Sequence, residues 1–138
     1  MIDCENLVFT HVSQALKTAY GSGFNVTGAY VPSPSQFPSV SIVEADNYVA
    51  QRYRTENVEN AVTVMYETNV YSNKTAGKKS EAKAIANTLD EAMASIGFTR
   101  TSRNVVPNLN DASIYRIVCR YEGTIIPNDD GNYYIHAR

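Results

Sequence analysis

Two histidines, two cysteines and a scatter of arginines are the side chains of this sequence with the widest chemical range. His11 stands one turn from Leu7 at the edge of an apolar stripe, and no carboxylate or cysteine is spaced to orient it as a base. Its position predicts a packed or half-exposed helix histidine. His136 lies close to the end of the sequence, where a fixed catalytic geometry is hard to hold. Cys4 and Cys119 form no CxxC pair, and in a reducing compartment two such thiols act as small apolar side chains, reduced and dispensable. Gly21-Ser22-Gly23 has the glycine content of a phosphate loop, but it follows a helix pattern and opens a strand, the reverse of what phosphate binding requires. Asn128-Asp129-Asp130-Gly131 resembles the start of a calcium loop, yet no distal glutamate follows to complete the shell, so a hairpin turn explains it better. Asn25-Val26-Thr27 and Asn73-Lys74-Thr75 match the glycosylation sequon, which matters only in a secreted protein. The expectation is therefore no catalytic residue, no metal and no cofactor.

Arg52, Arg54, Arg100, Arg103, Arg116 and Arg120 fall on strands or strand ends in alternation with apolar residues. The bland account is a solvated sheet face. Arginine and tyrosine are also the residues enriched at protein interfaces, and ten tyrosines with no tryptophan tilt the reading that way. Arg52, Arg54, Tyr133 and Tyr134 are the candidate anchors of a subunit interface, on the hairpin Val49 to Ala61 and the arm Ile126 to Arg138. Both segments extend beyond what one core needs.

The elements that must position these residues follow from periodicity. Leu7, Val8, Val12, Ala15, Leu16 and Ala19 recur at three and four residue steps, which predicts a helix ending near Tyr20, with Asp3 as its cap. Asn25 to Val31 reads as a short strand, and Pro32, Pro34 and Pro38 make Val31 to Ser39 an irregular loop. Val40 to Arg54 and Ala61 to Ser72 read as a long hairpin, the second run alternating with the two-residue period of a half-buried strand. Ala82, Ile85, Ala86, Leu89, Ala92, Met93 and Ile96 form the stripe of a second helix, capped by Ser80 and stopped by Gly97. This stripe should pack across the sheet. Phe98 to Val106 is extended, and Ile114 to Ile125 is a strand with Tyr115, Ile117, Cys119 and Tyr121 on one face and Arg116, Arg120 and Glu122 on the other. The fold class is α+β: a mainly antiparallel sheet of about five strands flanked by two helices, in one domain over residues 1–125, with residues 126–138 as an arm or short extra strand of it.

At 138 residues, 43% hydrophobic and 19% charged, the chain has the size and composition of one globular core. A formal charge of −2 lacks the basic excess that phosphate-backbone binding needs, so nucleic acid is not an expected specific partner. Asp3 and Glu5 stand where a signal peptide carries positive charge, and no apolar run nears membrane-spanning length; the expectation is a cytosolic protein without a membrane partner.

Tyr71-Ser72-Asn73, leading through Lys78-Lys79 into Glu81-Ala82-Lys83-Ala84-Ile85-Ala86, is followed by Met93-Ala94-Ser95-Ile96-Gly97-Phe98-Thr99-Arg100. Pro107-Asn108, the run Ile114 to Ile125 and the closing Gly131 to Arg138 complete the pattern. From about Phe37 onward this resembles the tail terminator (tail completion, head-tail joining) family of long-tailed bacteriophages. The resemblance implies a structural virion protein whose copies form a ring, typically a homohexamer, that caps the tail tube and docks the head connector. Its partners would be itself, the tail tube protein and the connector protein, and its location the host cytoplasm during assembly and then the head-proximal end of the tail. The alternatives are a head completion or connector protein, or the tube protein itself. From a different class comes a small anion-binding enzyme or nucleic-acid binding protein of an integrated element, using Arg100, Arg103, Arg116 and Arg120. That alternative requires the four arginines to share one surface, unpaired with carboxylates.

Overall fold

The computed structural model of the chain describes residues 3–29, 34, 36–49, 61–107, 113–127 and 133–136. Helix α1 spans Glu5–Tyr20 and is followed by strands β1 (Asn25–Thr27), β2 (Ser39–Val49) and β3 (Val62–Ser72). Helix α2 (Lys78–Ser95) precedes β4 (Thr99–Val105), β5 (Tyr115–Pro127) and β6 (Tyr133–His136). The α+β class is as the periodicity predicts. The strands form one sheet in the order β1-β2-β3-β5-β4, with β6 also paired to β5. All pairings are antiparallel except β1 with β2.

Both helices lie on the same face of this sheet, because the strand residues sharing their core are all of one parity. Val40 and Ile42 of β2, Val62, Val64, Tyr66 and Val70 of β3, and Ile117, Cys119, Tyr121 and Ile125 of β5 pack with Val8, Val12 and Leu16 of α1 and Ile85, Leu89 and Met93 of α2. The side chains of a strand alternate between faces, so one parity is one face. The helices are also tied to each other by polar contacts at both ends of their crossing. The Tyr20 hydroxyl bonds Thr88 Oγ1 at 3.0 Å, and His11 Nε2 donates to the Ala92 carbonyl at 3.1 Å.

The helix starts differ from the sequence expectation. Cys4, not Asp3, occupies the N-cap of α1, while Asp3 Oδ1 accepts the Glu5 N–H at 3.0 Å from one residue further out. Helix α2 begins at Lys78 and places Ser80 inside its first turn, because Gly77, with φ +88°, turns the chain in the left-handed region that only glycine enters readily. Its carbonyl takes the Glu81 N–H at 2.9 Å. Of the expected strand over Asn25 to Val31, Asn25–Thr27 is a strand, parallel to the start of β2, while Tyr30 and Val31 lie outside the described residues.

The helix-free face of the sheet mixes polar residues such as Ser41, Glu67 and Asn69 with apolar ones such as Val43 and Met65. Ser41 and Asn69 stand opposite each other on β2 and β3, both almost wholly buried, and Ser41 Oγ and Asn69 Nδ2 have no hydrogen-bond partner among the described residues. An unsatisfied buried polar group costs about 1–3 kcal/mol. Ser41→Ala is therefore expected to leave stability unchanged or to raise it by up to about 1 kcal/mol; a clear loss in a urea titration would show that the hydroxyl has a partner in solution.

Candidate self-association surface

The sequence-predicted anchors are only partly placed. Arg52 and Arg54 lie outside the described residues. Tyr133 and Tyr134 fall on β6, opposite Pro127 and Ile126 of β5, which makes the end of the arm a strand of the sheet. The hairpin tip between Val49 and Ala61 is likewise outside the described residues.

Arg100, Arg103, Arg116 and Arg120 do not converge. Arg100 and Arg103 stand opposite Tyr121 and Cys119, core residues, so both belong to the helix-covered side of the sheet. There Arg100 pairs with Asp90 at 3.2 Å and Arg103 Nη1 donates to Asn87 Oδ1 at 2.9 Å. Arg116 and Arg120 belong to the opposite face. Arg116 Nε donates to Asn69 Oδ1 at 2.8 Å, with Cζ of the same guanidinium 6.0 Å from the centre of the Tyr71 ring, and Arg120 pairs with Glu67 at 3.2 Å. Split between two faces and engaged by carboxylates and amides, the four do not make one anion site.

The two thiols are not activated. Burial pushes the Cys4 thiol up to about 11, so at neutral pH it is a protonated thiol, in contact with the Tyr66 hydroxyl at 3.4 Å. Burial likewise raises the Cys119 thiol, and both cysteines are free. His11 Nε2 also contacts Ser95 Oγ at 2.9 Å, which fixes the ring against the last turn of α2.

A feature without any signal in the sequence is a group of three carboxylates. Asp3, Glu5 and Glu44 each place an oxygen within 4.8 Å of the others, where the start of α1 meets the middle of β2. Glu5 and Glu44 border a cleft of about 250 Å³ whose walls include Phe9, Ile42 and Tyr66. Neither ion pair among the described residues involves them. Glu44 is held above the usual carboxylate range, first by desolvation and then by its contact with the Glu5 carboxyl, against the opposing hydrogen bond from Asn47 Nδ2 at 3.0 Å. A carboxyl whose folded pKa is raised binds its proton more tightly in the folded state. Folding stability from this group therefore rises as pH falls from neutrality toward the unfolded value. Glu44→Gln is expected to be at least as stable as the native chain at pH 7, with the difference shrinking on acidification; a thermal-midpoint series in which the gap widens toward low pH would contradict this.

The sheet ends in two open edges among the described residues. On one side β4 pairs only with β5, so its outer edge is free along Thr99–Val105. On the other, the described strand beside β2 is β1, which pairs with it only at Ser39 to Ser41. The exposed large apolar side chains include one on each: Val105 on β4 and Tyr48 on β2.

No protein-family model and no curated protein matches this chain. No helix among the described residues is long and apolar enough to cross a membrane.

Proposed function

We propose that this chain is a structural subunit that assembles with copies of itself into a closed ring, of the kind that caps a phage tail tube and joins it to the head connector. The observation that carries the self-association is the pair of open and unlike sheet edges. Exposed strand edges are templates for further pairing, and small domains that remain single usually cover or shorten them. Two different binding edges on one chain give head-to-tail contacts, which close into a ring when the rotation between copies allows it. The assignment to a phage tail is supported by the resemblance from about Phe37 onward.

The test is the mass of the purified protein by light scattering over a concentration series, with electron microscopy of the largest species. The expected result is a single closed ring of fixed mass. Filaments of growing length would assign the chain to the tube instead, and a monomer at every concentration would overturn the self-assembly reading.

A further inference from the structure

We infer that the first turn of α1 is fastened to β2 by a hydrogen bond between the Glu44 and Glu5 carboxyls that exists only while one of them carries a proton, so that mild acid closes this end of the helix on the sheet and neutral pH loosens it. The clasp works within one subunit and does not depend on assembly.

Geometry sets up the conflict. Asp3, Glu5 and Glu44 come from opposite sides of the α1–β2 junction, and an oxygen of each lies within 4.8 Å of the others. Among the described residues no cation answers them, since the ion pairs there join Arg100 to Asp90 and Arg120 to Glu67. Carboxylates this close repel when all are ionised, and one retained proton turns a repelling pair into a donor and an acceptor. The repulsion acts across the cleft of about 250 Å³ between helix and strand, with Phe9 on one wall and Ile42 on the other. The side-chain contact across the same junction that does not involve these carboxyls is weak: Cys4 Sγ and the Tyr66 hydroxyl, at 3.4 Å.

The surroundings decide which carboxyl takes the proton. Asp3 and Glu5 stand at the start of α1, where the positive end of the helix favours ionised carboxylates, and Asp3 Oδ1 already accepts the Glu5 N–H at 3.0 Å. Glu44 has no helix end behind it. Desolvation is the first cause that holds its proton, and the Glu5 carboxyl acts in the same sense, with the Asn47 amide opposing at 3.0 Å. Glu44 therefore donates its O–H to the Glu5 carboxylate. The other titratable groups beside the cluster are the Cys4 thiol and the Tyr66 hydroxyl, both pushed up by burial and neutral throughout the range in which carboxyls titrate. Asp46 lies beyond the bulge at Glu44/Asp46, opposite Met65 on the other face of the sheet. Along α1, His11 is turned to Ala92 and Ser95, and on α2 Asp90 is engaged by Arg100. β1, Asn25–Thr27, contributes no titratable group. Because the proton is bound more tightly in the closed form, closure is gained as pH falls from neutrality toward the ordinary carboxylate range, and lost on the way back.

The experiment is amide hydrogen exchange of the full chain at about pH 5 and about pH 7, read as protection factors so that the intrinsic pH dependence of exchange cancels. The Val8 N–H, bonded to the Cys4 carbonyl at 3.0 Å, reports the first turn of α1. Its protection is expected to be about threefold or more higher at the lower pH. In Glu44→Gln the side-chain amide can donate to Glu5 at either pH, so protection should be high and alike at both. Glu5→Gln, whose amide can donate to Glu44, should behave in the same way. Carbon NMR of the glutamate carboxyls in the unmodified chain gives a second measurement that needs no variant, and Glu44 is expected to titrate above the ordinary carboxylate range. Equal protection of Val8 at the two pH values in the unmodified chain overturns the clasp, as does a pH dependence that survives in folded Glu44→Gln. A Glu44 that titrates at or below the ordinary range overturns it as well, whether or not the variants fold.

Discussion

Leu89→Ala is expected to lower folding stability by about 2–5 kcal/mol, the range found when a buried leucine is cut back to alanine in a core that relaxes only partly. Leu89 is fully buried, in the middle of the α2 stripe between Ile85 and Met93, where the helix crosses the sheet. Removing its branched end opens space that neither element can close, because α2 is tied to α1 through Thr88 and Ala92 and to the sheet through Asp90, whose carboxylate accepts from the Tyr121 hydroxyl at 3.0 Å. Leu7→Ala provides the contrast. Leu7 is 36% exposed, and its loss should cost much less, within about 0.5 to 1 kcal/mol. Urea titrations of the two variants check the pair; equal losses would mean that the α2 stripe is not the centre of the core.

Tyr66→Ala is expected to be at least as severe, about 3–5 kcal/mol by analogy with truncation of other buried aromatic rings. The ring is 2% exposed and sits edge-on to Phe98 at 5.5 Å between centroids, so it joins β3 to the residue before β4 and, through Cys4, to the N-cap of α1. Tyr66→Phe separates ring from hydroxyl. It keeps the packing and loses only the contact with Cys4 Sγ, a weak acceptor and donor, so a loss near 1 kcal/mol is expected. If Tyr66→Phe were as damaging as Tyr66→Ala in the same titration, the hydroxyl and not the ring would be what anchors α1.

The parts of the fold legible in the sequence are those where burial is one-sided and periodic. The α1 and α2 stripes, and the alternation in β3 and β5, each report a single apolar face, and the structure covers those faces with one another. What was not legible depends on contacts remote in sequence. The parallel β1 is three residues long, too short to show a period, and exists because Asn25 to Thr27 pair with Ser39 to Ser41. The start of α2 is set by the left-handed Gly77, while Ser80 offers a cap signal of the usual kind two residues inside the helix. The carboxylate group joins residues 3 and 5 with residue 44, a meeting that no spacing announces. The arginines had the composition of an interface, but composition carries no information about which face each one takes. Register does, and it divides them two and two.

The placement of β5 between β3 and β4 has a kinetic consequence. Its pairing with β3 runs from Ser72↔Tyr115 to Val62↔Ile125, so the centre of the sheet is closed by contacts between residues at least 43 and up to 63 positions apart, the differences 115 − 72 and 125 − 62. As the chain leaves the ribosome, α1, β2, β3 and α2 can emerge while the inner edge of β3 still waits for its neighbour. That strand, with Val62, Val64, Tyr66 and Val70 on one face, has an inner edge that is transiently open. Long-range pairing of this kind slows folding into the millisecond to second range typical of non-local β topologies. The same vacancy can capture another nascent chain before its own β5 arrives, so yield on expression should fall with synthesis rate and temperature more steeply than the stability of the finished fold would suggest.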